Sequence, residues 1–228
     1  MAKKRVPRKE LLKTEDEFIT FSSRLLQNII RYKLQVLCAI GGVFLLVVIF
    51  SGVRYFSIQK ENEAFAQMEE SFFKYQNALN KNKTAESYDI FQADFQRILD
   101  KYSGTKGGKL ARVIFANMCY NAGNYDRAVA LYHKALKDFD DSMSIKGFIL
   151  SGLGYAYEGK KDYPTAAKFF EEIVSSPEAV MKDEALFNLG RIYASMGEAD
   201  KSITSYNKIV SEYTGSIYHS LAKEKLSG

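Results

Sequence analysis

The residues that could support catalysis or bind a metal are scattered along this sequence. Its two histidines, His133 and His219, have no cysteine or second histidine at the spacing that zinc sites use. The run GTKGGK at residues 104–109 is rich in glycine, as phosphate-binding loops are. Its last lysine, however, is followed by Leu110, where such loops require serine or threonine. We therefore expect a protein that is not an enzyme and that has no metal site and no cofactor.

The net charge of the chain is concentrated at the N-terminus. The 228 residues include 32 Lys or Arg and 27 Asp or Glu, which gives a net charge of +5. Residues 1–33 contain nine of the basic and four of the acidic residues, so this segment carries the whole excess. The remaining chain is neutral and gives nucleic acid no electrostatic reason to bind. A basic tail beside an apolar segment favours a membrane as its partner.

An uncharged, apolar segment follows the basic tail directly at residues 34–53. Twenty residues in an α-helix extend about 30 Å, which is the thickness of the hydrocarbon core of a bilayer. A buried core helix would need a larger protein around it, because this segment is apolar on every side. A cleaved signal peptide would have a shorter apolar region and a small-residue cleavage site. We therefore expect a single transmembrane helix.

The basic tail also predicts the orientation of that helix. Short basic segments stay in the cytoplasm, whereas long domains are exported largely regardless of their charge. We expect residues 1–33 to be cytoplasmic and residues 54–228 to be exported. Apolar pairs at residues 11–12, 18–19, 25–26 and 29–30 recur at helical spacing. Two interpretations stay open: an amphipathic helix on the inner leaflet or on a partner, or an extension of the spanning helix.

The exported part contains an internal repeat. Three segments that start at Phe115, Leu153 and Leu189 align without a gap over 22 positions. The residue after each start is small, and an aromatic residue stands sixteen positions after that small residue. The small residues are Ala116, Gly154 and Gly190, and the aromatic residues are Tyr132, Phe170 and Tyr206. We interpret each segment as two antiparallel helices, in which the small residue allows a close approach and the aromatic ring fills the space beyond it.

The turn between the two predicted helices has its own pattern. Polar residues recur at one position, namely Asn124, Asp162 and Glu198. Gly123 and Gly197 stand immediately before two of them and can adopt a positive φ.

These residues resemble the tetratricopeptide repeat (TPR). The middle unit matches the motif at Leu153, Gly154, Tyr157, Ala166 and Phe170. The departures are Cys119 in place of tyrosine, Ser202 in place of alanine, and the absence of a proline that closes each unit. The resemblance covers about residues 109–214. It implies an all-α fold, in which a single N-terminal transmembrane helix precedes a TPR solenoid of helix hairpins.

We expect four parts in the chain. They are a basic cytoplasmic tail at residues 1–33, a transmembrane helix at 34–53, a linker helix with a degenerate first TPR-like hairpin at 54–108, and three TPR-like repeats with a C-terminal capping helix at 109–228.

The resemblance also implies a binding surface for proteins or peptides, because the first helix of each TPR hairpin lines a concave groove. The matching positions are Val113, Asn117, Tyr120, Asn121, Ser151, Tyr155, Glu158, Phe187, Arg191 and Ser195. The alternative to a binding role for each of these residues is a place on an ordinary solvated helix face. Val113 stands where TPR domains that clamp a C-terminal carboxylate have a cation, so we do not expect that type of recognition.

The order of basic tail, single span and short TPR domain resembles the bacterial YfgM-like proteins. That resemblance implies a domain in the periplasm, anchored in the inner membrane, that works beside the Sec translocon and periplasmic chaperones. We expect a non-catalytic scaffold or chaperone accessory that binds exported polypeptides or envelope proteins. Two alternatives stay open. One is a structural assembly factor of an envelope or cell-division complex, and the other is an enzyme or its regulatory subunit, which the missing catalytic residues disfavour.

Overall fold

The computed structural model describes residues 21–80, 84–177 and 179–227, and all regular structure in these ranges is helical. Residues 21–31 are helical, and the apolar pairs at 11–12 and 18–19 lie outside the described residues. The helices that follow are α1 Lys33–Asn80, α2 Thr84–Tyr102, α3 Lys106–Asn121, α4 Tyr125–Asp138, α5 Met143–Gly159, α6 Tyr163–Ser175, α7 Lys182–Ser195, α8 Ala199–Glu212 and α9 Tyr218–Ser227.

The chain divides into two compact units, and the first of them is Met1–Ile58. It contains the start of α1, whose stretch Lys33–Ala78 is long enough and, with a mean hydropathy of 2.7 in its most apolar window, apolar enough to cross a membrane. Most of the large apolar side chains between residues 34 and 53 expose 50% to 71% of their surface. Such exposure is not that of a buried core helix, so this segment could serve as a membrane anchor.

The second unit, Gln59–Gly228, is a stack of helix hairpins. Helices α3 and α4, α5 and α6, and α7 and α8 form three successive pairs, and α9 packs on α8 and α7. From α2 onward each helix contacts the next one in the chain, and α3 also touches α5. Hairpins that stack on their neighbours in chain order make a solenoid. The all-α solenoid of helix hairpins that the sequence predicts is therefore confirmed.

Two of the hairpins close around a glycine. A Cβ atom added to Gly154 would lie 2.5 Å from the ring of Phe170, and one added to Gly190 would lie 2.5 Å from the ring of Tyr206. Carbon atoms pack at about 3.5–4 Å, so any side chain here would displace a ring. Phe170 is fully buried and has little room to move. The small residue and the aromatic residue of the repeat thus fit against each other as the sequence pattern predicts.

The first repeat uses the same kind of fit between neighbouring hairpins. The ring of Tyr132 lies against Gly152 of α5, where an added Cβ would be 2.5 Å from Cζ of the ring. The Tyr132 hydroxyl donates a hydrogen bond to Oδ1 of Asn117. Tyr132 therefore joins the first repeat to the second.

The turn inside each hairpin has one residue in the left-handed region. The φ angle is 76° at Gly123, 63° at Lys161 and 76° at Gly197, which are equivalent positions of the three repeats. The next residue is the N-cap of the second helix. Asn124 and Asp162 each accept a hydrogen bond from the backbone N–H three residues later, at 3.3 and 3.2 Å, which caps that helix.

The end of α1 packs against α2. The contact face on α1 runs through Ala64, Met68, Ser71 and Tyr75, which are spaced four, three and four residues apart and so share one side of the helix. Phe72 lies one position away from this face and is 40% exposed. Among the side chains of α2 that the structure describes, the buried ones are Phe91, Phe95, Ile98 and Tyr102.

Glu61 of α1 caps the beginning of α3. Its carboxylate accepts hydrogen bonds from the backbone N–H groups of Lys106, at 3.0 Å, and Gly107, at 2.7 Å. These N–H groups have no partner inside the helix, and the helix dipole favours a negative charge there. A Cβ added to Gly108 would lie 1.8 Å from the carbonyl oxygen of Tyr102. The glycine-rich run at 104–109 therefore serves helix packing, and its N–H groups bind a carboxylate of the chain itself.

The turn geometry predicts that Lys161→Gly stabilises the protein. A left-handed φ costs a residue with a side chain about 1–2 kcal/mol, and the more flexible unfolded chain of the glycine variant offsets part of this gain. We expect the free energy of unfolding to rise by about 0.5–1 kcal/mol, measured by chemical denaturation of the full chain in detergent with circular dichroism.

The reciprocal change, Gly123→Lys, should lower the free energy of unfolding by about 1 kcal/mol. Lys160 supplies a matched control, because it has a φ of −77° one residue earlier. Lys160→Gly should not stabilise the protein, and an equal gain from both lysine replacements would contradict the prediction.

Candidate protein-binding groove

The first helices of three hairpins, α3, α5 and α7, line one open cavity of about 370 Å³. Five of the ten residues expected in a groove meet there, namely Asn117, Tyr120, Asn121, Ser151 and Tyr155. The rings of Tyr120 and Tyr155 lie with their centroids 6.3 Å apart. The cavity thus brings together side chains from the first and second repeats.

The structure adds five lining residues that the sequence analysis does not place in the groove. They are Tyr132, Phe148, Gly152, Met181 and Glu184. Phe148 is 57% exposed and precedes Ser151 by three residues, so helical spacing alone places the two on one face of α5. Met181 has a φ of 66° at the residue before α7, and no spacing rule reveals this backbone conformation.

A chain of hydrogen bonds joins α5 to α7 beside the cavity. The Tyr155 hydroxyl donates to Oε1 of Glu184 at 2.7 Å and accepts from Nδ2 of Asn188 at 2.8 Å. Oδ1 of Asn188 in turn accepts from Nη2 of Arg191 at 3.0 Å. Burial raises the pKa of Tyr155 above its usual value, and the hydrogen bond and negative charge of Glu184 raise it further. The hydroxyl therefore stays protonated at neutral pH and keeps donating to Glu184.

Two expected groove residues are paired with each other. Arg191 makes two hydrogen bonds to the carboxylate of Glu158, both at 3.0 Å, which is the bidentate geometry of a strong charge-assisted pair. The pair lies between α5 and α7 and continues the polar chain that starts at Glu184. A partner protein would have to compete with this ion pair for either charge.

The other three expected residues lie outside the cavity. Val113 packs against the core around α2, α3 and α4. Phe187 lies beside Tyr206 and stacks on Tyr218 of α9, with ring centroids 5.7 and 5.1 Å apart. Ser195 is exposed, and its hydroxyl donates to the carbonyl oxygen of Arg191 at 3.0 Å. Phe187 occupies in the third repeat the position that Ser151 occupies in the second. It therefore packs on the last helix and does not line the cavity.

In the described part of the chain, one buried polar side chain of the cavity has no hydrogen-bond partner. Ser151 is 4% exposed, and its Oγ atom is without a partner among the described residues. Buried hydroxyl groups normally form hydrogen bonds, because leaving one unpaired costs about 1–3 kcal/mol. Ser151 is one of the residues that line the open cavity.

The described residues contain no group of three or more His, Cys, Asp or Glu that could hold a metal ion. His133 is exposed and has aromatic neighbours, with its ring 6.4 Å from that of Tyr157 and 5.9 Å from that of Phe169. These contacts are those of a surface histidine that packs on aromatic rings.

Comparison with known proteins agrees with this architecture. A family model described as a tetratricopeptide repeat-like domain matches residues 35–227. A crystal structure of a Podosopora anserina putative kinesin light chain with nearly identical TPR-like repeats, and a variant of it, are each similar to this chain with a TM-score of 0.56 and 14% identity. Each match covers 71% of this chain and 82% of the other. At this identity the likeness shows the fold alone. No curated protein matches the chain.

Proposed function

This chain belongs to the tetratricopeptide repeat-like domain family, and we propose that it is a membrane-anchored, non-catalytic scaffold or chaperone accessory that binds other polypeptides. The family is generally one of protein-binding scaffolds. The open cavity between the first helices of the hairpins carries the proposal, because it offers a concave surface that aromatic side chains line. Aromatic residues are frequent anchors at protein interfaces.

The proposed location is the bacterial inner membrane, with residues 1–33 in the cytoplasm and the solenoid in the periplasm. The apolar helix supports an anchor, and the basic residues of the tail support its orientation. We further propose that the protein belongs to the YfgM-like group and works beside the Sec translocon and periplasmic chaperones. This order of tail, span and repeats is the feature that supports that grouping.

Anchoring the solenoid in the membrane would help a groove of low affinity to bind polypeptides as they are exported. A site held near the exit of a translocation channel meets each emerging polypeptide at a high effective concentration. Contacts of modest affinity can then be sufficient, and they allow the polypeptide to leave again. The alternative function, a structural assembly factor of an envelope or cell-division complex, would instead require a lasting interface with one folded partner.

Photo-crosslinking can separate these functions in intact cells. A benzophenone side chain at Phe148, which is exposed in the cavity, should crosslink many unfolded exported polypeptides. Ile203 offers a control position, because it is 48% exposed on α8 and does not line the cavity. Equal crosslinking from both positions would contradict the proposed groove, and one stoichiometric folded partner would contradict the chaperone function.

The proposed orientation predicts the activity of alkaline phosphatase fusions. A fusion after Gly228 should be active, because the enzyme folds only after export and the solenoid is proposed to lie in the periplasm. A fusion after Lys33, which omits the apolar segment, should be inactive. An inactive but stably expressed fusion after Gly228 would reverse the orientation.

A further inference from the structure

The cavity between α3, α5 and α7 has an uncompensated negative charge at its edge. Among the described residues that line it, Glu184 is the only charged one. Its Oε1 atom accepts the hydrogen bond from Tyr155, and no cation among the described residues lies within ion-pair distance of its carboxylate. Glu158, on the neighbouring helix, is in contrast paired with Arg191. The cavity therefore presents one carboxylate that is free to bind a positive charge from outside.

The remainder of the wall is suited to a flat, apolar cation. The rings of Tyr120, Phe148 and Tyr155 line the cavity together with the side chain of Met181. Aromatic rings attract cations at their faces, and a planar guanidinium group also stacks on them. A strongly hydrated ammonium group gains less from such a wall.

The unpaired hydroxyl of Ser151 is the third feature of the cavity, after the carboxylate and the aromatic wall. Ser151 lines the cavity, but its Oγ atom exposes almost no surface, so the hydroxyl becomes an acceptor for an N–H group there when the side chain rotates toward the cavity. A guanidinium group has five N–H donors in one plane, so it can reach a carboxylate and a hydroxyl at the same time. Carboxylate, aromatic wall and unpaired acceptor together fit arginine better than any other natural side chain.

We propose that this cavity binds an arginine side chain of an extended polypeptide, with Glu184 as its ion-pair partner, Ser151 as a hydrogen-bond acceptor, and Tyr120 and Tyr155 as the aromatic wall. The inference rests on the proposed protein-binding function and specifies its selectivity. It predicts that clients are recognised at arginine residues, including arginine in otherwise apolar segments, where Phe148 and Met181 can pack on the flanking side chains.

Four labelled peptides test the selectivity on the unmodified full chain in detergent. They share a nine-residue background of Gly, Ser and Leu and differ only at the central residue, which is arginine, citrulline, lysine or leucine. Citrulline has almost the shape of arginine but no charge. We expect fluorescence anisotropy to show the arginine peptide binding about tenfold more tightly than the citrulline peptide, as the loss of one charge-assisted pair implies, with lysine between them.

Two variants assign the effect to the cavity. Glu184→Gln keeps an acceptor for the Tyr155 hydroxyl and should reduce arginine affinity to the citrulline level. Glu212→Gln removes the same charge from an exposed position on α8 and should change nothing. Ser151→Ala should weaken the arginine peptide about threefold, because one hydrogen bond is lost. The same change should leave the melting temperature equal or higher, because it removes an unpaired buried hydroxyl.

Equal affinity for the arginine and citrulline peptides would overturn the arginine site while leaving the scaffold function intact. Failure of all four peptides to bind would overturn it as well, whereas the scaffold function is tested separately by crosslinking from Phe148. Retention of arginine selectivity in folded Glu184→Gln protein would also contradict the proposal.

Discussion

The fold of the repeat domain depends on the contact between a glycine and an aromatic ring within a hairpin. At Gly154 and Gly190 the ring of the partner helix occupies the volume that a Cβ atom would need. This fit sets how closely the two helices approach and which faces they turn to each other. The left-handed turn residue and the helix cap connect the two helices, and the left-handed residue stands at the same position in all three repeats. Tyr132, which reaches Gly152 of the next hairpin, carries the same constraint from one repeat to the next.

The groove follows from what this packing leaves uncovered. Each first helix buries one face against its own second helix and turns another toward the neighbouring first helices. In the second repeat that face contributes Phe148, Ser151 and Tyr155 to the cavity. In the third repeat α9 covers the equivalent face through Tyr218. The polar chain from Glu184 to Glu158 links α5 to α7 on one side of the cavity.

The sequence alone predicts the fold well, because the repeat is visible three times and each copy supports the others. It predicts the groove only in part. Position within the repeat decides which helix face a residue occupies, so Asn117, Tyr120, Asn121, Ser151 and Tyr155 follow from the pattern. Pairing depends instead on side chains from other repeats: Glu158 meets Arg191, and Phe187 meets a ring from α9. The positive φ of Met181 and the unpaired hydroxyl of Ser151 have no signature in the sequence.

The most direct test of the central constraint is a double-mutant cycle between Gly154 and Phe170. Gly154→Ala alone should lower the free energy of unfolding by about 1–3 kcal/mol, because the added methyl group overlaps the ring. In a Phe170→Leu background the same change should be neutral or stabilising by up to about 1 kcal/mol, since alanine favours the helix. The expected coupling therefore exceeds about 1 kcal/mol. Additivity of the two changes within about 0.5 kcal/mol would contradict the account.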